Sequence, residues 1–197
     1  NCMPKATFNH LPAEKKAFVR GVLLHIFAKQ PVSQVKVSEI VHDLQMSRGI
    51  FYKYFDDLND AYDYLIKDAA NKIHGRILQQ IARHHDDFFA GLAVFLTEAL
   101  AYDPASDGYK ELKLLTQNSY LFSYRSADPH GAEAWQKILT ANHFNIKGEA
   151  EAMSFLYFSM KLVIDSLTDA YANEWTAETL LQDFDFKVSW LKRGIQS

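Results

Sequence analysis

Apolar residues recur at three- and four-residue intervals along the whole chain, the period of helices packed on one face. Phe18, Val19, Val22, Leu23, Ile26 and Phe27 form one such stripe. It predicts a helix over 12–30, with Pro12 in its first turn and Pro31 ending it. Val37, Ile40, Val41 and Leu44 make the face of a short helix over 37–44. Gln45 and Met46 break the pattern, and Ser47 is a favoured cap, so a two-turn helix is expected over 48–55. Asp57, with Asp60 three residues on, opens a long helix over 58–82 as a weak capping box. Further helices are expected at 86–102, 108–125, 131–144, 149–173 and 176–195. No window alternates with period two, so no strand is assigned and the fold class is all-α, with about nine helices.

Helices over 12–30, 37–44 and 48–55, with a three-residue turn between the last two, have the geometry of a helix-turn-helix. The helical period turns Phe51 and Phe55 toward a small core. It spreads Arg48, Gly49, Ile50, Tyr52, Lys53 and Tyr54 over the outer faces, where Arg, Lys and phenols offer donors for phosphates and base edges. Gly49 permits close backbone approach. Charge agrees. Residues 1–55 hold eight basic and three acidic residues, a net of +5, and the remaining 13 basic and 21 acidic residues give −8. A basic head on an acidic body suits a polyanionic partner for the head alone.

The segment Val37-x-x-Ile40 … Met46-Ser47-Arg48-Gly49-x-Phe51-Tyr52-x-Tyr54-Phe55 resembles the helix-turn-helix of the TetR family of transcriptional repressors, over about residues 12–65. The resemblance implies that the short third helix enters the major groove. Tyr52 and Tyr54 would then contact phosphates and bases, with Arg48, Ile50 and Lys53 adding base and backbone contacts. Four positions depart from the family pattern. Gln45 replaces the usual turn Gly and must take a left-handed conformation. Lys36 replaces a capping Thr and can reach a phosphate. Ile50 replaces a small hydroxyl residue and can meet a thymine methyl. Leu58 replaces a Lys and removes one phosphate contact. The expected DNA-binding set is Lys36, Ser47, Arg48, Gly49, Ile50, Tyr52, Lys53 and Tyr54, in a head over 3–56, with an effector-binding and dimerisation body over 57–197.

The helix expected at 149–173 is apolar around most of its circumference, which calls for burial on two sides. By resemblance to the family's four-helix dimer bundle, Met153, Leu156, Met160, Val163, Leu167, Leu181, Phe184, Val188 and Leu191 are the expected interface with a second copy. Phe95, Tyr102, Tyr120, Tyr124, Trp135 and Phe158 are candidates for a small-molecule effector pocket, and each also suits packed core. His84-His85-Asp86-Asp87 invites a metal reading. Adjacent helical residues diverge by about 100°, so an Asp cap for the following helix fits better.

Five Pro and eight Gly in 197 residues suit long helices, and 48% apolar content supports a folded core. No uncharged apolar stretch reaches a membrane-spanning length, and no signal peptide is visible. Met3 reads as a natural start after Asn1 and Cys2. Cys2 is the only cysteine, which suits a cytoplasmic chain without disulfides. No GxGxxG, GxxxxGK[ST], GxSxG, HExxH or CxxC motif is present, so neither an enzyme nor a cofactor nor a metal is expected. The resulting expectation is a homodimeric repressor that binds palindromic double-stranded DNA and is released by a small molecule. The alternative is a helical ligand-binding or scaffolding protein whose helix-turn-helix no longer grips DNA.

Overall fold

The computed structural model describes residues 4–118 and 132–195, and every regular element in them is helical. The elements are α1 (Ala6–Asn9), α2 (Ala13–Phe27), a 3-10 turn (Val32–Gln34), α3 (Val37–Asp43), α4 (Arg48–Tyr54), α5 (Leu58–Arg83), α6 (Phe88–Leu100), α7 (Asp107–Gln117), α8 (Ala132–Ala141), α9 (Gly148–Ala172) and α10 (Ala177–Ile195). The expected ends agree to within a few residues, except that α7 ends at Gln117, well short of the expected 125. Pro12 is the N-cap of α2 and not its first residue. The helix stops at Phe27, four residues before Pro31, which has no N–H to donate to the Phe27 carbonyl. Sequence periodicity misses α1 and the 3-10 turn, which are too short to show a period. The part of the 108–125 helix beyond Asn118, and the loop at 127–130, lie outside the described residues.

Two compact units divide the chain. The first holds Asn1–Asn71 and Asp103–Leu115, and the second holds Lys72–Tyr102 and Thr116–Ser197. The first unit therefore extends beyond the head expected at 3–56 and takes in much of α7. Its core is built from Phe8, Leu23, Leu24, Ile26, Ile40, Phe51, Phe55 and Leu65, all fully buried. Asp57 caps α5 by accepting from the Asp60 amide at 2.9 Å, and Asp60 reaches back to accept from the Asp56 amide at 3.0 Å. That reciprocal pair is the capping box, displaced by one residue.

Arg20 of α2 ties this unit together. Its guanidinium donates to Asp68 of α5 and Glu111 of α7, and Asp107 lies at 3.8 Å. Arg20 and Glu111 are both buried. Burial alone disfavours the Arg20 charge, but the hydrogen bonds and charges of Asp68 and Glu111 outweigh it and raise the pKa above its ordinary value.

The second unit packs α6, α8, α9 and α10 with the later turns of α5. Asp87 caps α6 by accepting from the Ala90 amide at 3.1 Å, as expected of the acidic pair there. Gly91 lets α6 lie on α5: a Cβ at this position would come within 2.9 Å of the Gln80 carbonyl oxygen and the Ile81 Cα. Phe88 centres an aromatic cluster with Trp135, Phe144 and Phe155 at centroid distances of 5.8, 5.4 and 5.6 Å. The buried Asn142 side chain accepts from the Phe88 amide at 2.8 Å and donates to the His85 carbonyl at 2.9 Å, closing the turn before α6.

Candidate nucleic-acid interface

The turn between α3 and α4 is a Schellman motif. The Met46 amide donates to the Val41 carbonyl at 3.0 Å and the Gln45 amide to the His42 carbonyl at 3.1 Å. That closure places Gln45 at φ 51°, the left-handed conformation its replacement of glycine requires. Ser47 follows in an extended conformation as the N-cap of α4, although its hydroxyl makes no capping bond and is exposed. Lys36 holds the same position before α3, also without a capping bond, and is exposed.

α4 divides by side. Phe51 is fully buried, and Phe55, just past its end, is too. Arg48, Gly49, Ile50, Tyr52 and Lys53 are exposed, Ile50 at 36% and Tyr52 at 38%. Arg48 stands one turn before Tyr52. Its Nη2 donates to the Tyr52 hydroxyl at 3.3 Å, and the guanidinium sits 5.8 Å from the ring centroid. These two side chains form one flat patch of donors and π face. Among the described residues nothing requires glycine at 49, because an added Cβ would meet only Ser47 Oγ, at an ordinary 3.8 Å.

Tyr54 corrects the sequence expectation. It is 4% exposed and packs edge-on against Phe8 at 5.8 Å, so its ring belongs to the core and not to the outer surface. The period placed it outward because α1, which supplies Phe8, left no signal. Leu58, where the family pattern has a cation, is half-buried at the start of α5.

Residues 87–195, more than half of the chain, match the model of the tetracyclin repressor-like C-terminal domain. The chain belongs to the TetR family. As a TetR-family protein it is a DNA-binding transcriptional regulator and not an enzyme. No curated protein matches it. Among solved structures it is similar to a TetR-family transcriptional regulator from Pectobacterium atrosepticum, with 14% identity over 94% of this chain and 97% of that one and a TM-score of 0.58. It is similar also to the multidrug binding protein EbrR complexed with imidazole, at 14% identity over 93% and 95% of the two chains, with a TM-score of 0.55. At that identity the likeness is one of fold.

Within this TetR-family fold, the body residues sort differently from their sequence expectation. Met160, Val163, Leu167, Phe184 and Val188, expected at an interface, are buried in the chain's own core, while Met153, Leu156, Leu181 and Leu191 are half-buried. The large apolar side chains that α9 and α10 leave exposed are Phe158 (47%), Phe186 (54%) and Trp190 (66%). Phe158, expected to line a pocket, thus stands in solvent. Phe95 is core, and Trp135 is buried with its indole donating to the Ala152 carbonyl at 2.7 Å. Tyr102 is half-buried beneath the Arg76 guanidinium, 5.9 Å from its centroid. Tyr120 and Tyr124 lie outside the described residues. Phe95, Tyr102, Trp135 and Phe158 do not line the surface depression formed by Gln136, Leu139, Thr140, His143, Phe144, Asn145 and Ile146. Among the described residues no helix is long and apolar enough to cross a membrane, and no cluster of metal-ligating side chains occurs.

Proposed function

We propose that this regulator is a homodimeric repressor that reads a palindromic operator through α4 and releases it when a small molecule binds the body. One observation carries the DNA-reading part: Arg48, Tyr52 and Lys53 stand exposed together on α4 while Phe51 turns into the core. Gly49, exposed in the first turn of the same helix, lets the backbone there approach closely. Beside it Ser47, Arg48, Tyr52 and Lys53 supply hydroxyl, guanidinium, phenol and ammonium donors for phosphates and guanine edges, Ile50 an apolar contact for a thymine methyl, and Lys36 a further cation.

The partner copy is argued from Phe158, Phe186 and Trp190. Three large exposed rings on the last two helices are what a second copy would cover. Two heads would then meet successive major grooves. The fold shared with a protein solved with imidazole supports a small-molecule effector in the body. Such a ligand acts only by its different affinity for the DNA-bound and free conformations.

The test separates fold from recognition. Gly49→Ala should raise thermal stability slightly while weakening binding to a duplex that the wild-type chain enriches from a random-sequence pool. Lys53→Ala should weaken the same binding and reduce the salt slope by about one. Unchanged gel-shift affinity in both variants would defeat the reading.

A further inference from the structure

α4 is only two turns long, and a helix of that length does not hold its end without help from elsewhere. Its last carbonyls have no partner within the helix. Lys5 supplies two of those partners from the far end of the unit's sequence. Its ammonium donates to the Tyr52 carbonyl at 2.8 Å, and its own amide donates to the Tyr54 carbonyl at 2.9 Å. The same ammonium lies 2.9 Å from Asp56, the acidic residue that follows the helix. A cation at this end also suits the helix dipole.

The segment that carries Lys5 is itself anchored. Asn9 donates from its side chain to the Pro4 carbonyl at 3.0 Å. Phe8 is fully buried, with its ring 5.8 Å from Tyr54, 5.1 Å from Phe55 and 5.0 Å from Tyr64. It therefore pins α1 to the end of α4 and the start of α5.

We propose that Lys5 is a positioning residue for DNA recognition: from α1's leading edge it caps the C-terminal end of α4 and fixes how that helix presents Arg48, Tyr52 and Lys53. The inference rests on the DNA-reading role of α4. Lys5 acts through the helix and not on DNA. It therefore sets the preference for a chosen sequence over others and leaves the general attraction to phosphate as it is.

The experiment uses the full chain with Lys5→Met and Lys5→Arg, the duplex enriched by the wild type, and a scrambled duplex of equal length. Lys5→Met should bind the enriched duplex about fivefold more weakly, with the scrambled duplex and the salt slope unchanged. Lys5→Arg should recover most of the loss. Amide exchange at Lys53, Tyr54 and Phe55 should quicken in Lys5→Met while α2 stays protected. Equal loss on both duplexes with a slope reduced by about one would make Lys5 a phosphate contact and overturn the proposal. Unchanged affinity on both duplexes would overturn it as well. If the wild type enriches no duplex, the DNA-reading role fails. The exchange at Lys53–Phe55 then still decides the cap: faster exchange supports it, and unchanged exchange ends it.

Discussion

Two surfaces that the described residues leave uncovered differ in chemistry. α4 leaves Arg48, Tyr52 and Lys53 outside, polar groups with donors and charge. α9 and α10 leave Phe158, Phe186 and Trp190 outside, rings with little to offer water. Both helical regions turn an apolar side inward, so burial alone does not distinguish them. What remains outside does: donors with positive charge suit a polyanion, and large rings suit another protein surface. The contrast predicts that the two surfaces fail independently.

The harshest break is of the frame that holds the first unit. Arg20→Met leaves the Glu111 carboxylate buried without its guanidinium and should cost about 3 kcal/mol, read as a lowered thermal midpoint. Trp190→Asp should act on the other surface. Self-association followed by sedimentation should weaken about a hundredfold, while far-ultraviolet dichroism of the monomer stays unchanged. Equal self-association in wild type and variant would remove the rings from the comparison.

Acid should act through the second unit. Burial pushes the His74 pKa down to about 4, below the 6.5 of an unfolded histidine. The unfolded chain therefore binds more protons between those values, and stability falls as pH drops through that window. The loss is about 2 kcal/mol between pH 6.5 and 4.5, and His74→Gln should flatten it in denaturant titrations at the two pH values. The mildest change is Gln45→Gly. It relieves the left-handed φ at the turn and should add roughly 0.5–1 kcal/mol of stability with DNA affinity kept.

Much of the first surface was legible in the sequence. Ser47, Gln45 and the two-turn α4 follow from turn chemistry and the helical period, which are local. The left-handed Gln45 could be expected from the glycine it replaces. Tyr54 could not be placed, because its neighbour Phe8 comes from a helix of four residues that shows no period. Met160, Val163, Leu167, Phe184 and Val188 read as an interface for a related reason. A helix that is apolar all round announces burial on two sides but not which side is the chain's own.

The order of residues by itself determined where the longer helices lie, that Asp57 and Asp87 cap two of them, and that a basic head precedes an acidic body. These depend on neighbours within a turn or two and on composition. Only the tertiary structure decided which apolar stripe closes the core, which rings stay in solvent, and that Lys5 meets the end of α4. Such pairings join residues far apart in sequence, and no local pattern encodes the direction from which a distant side chain arrives.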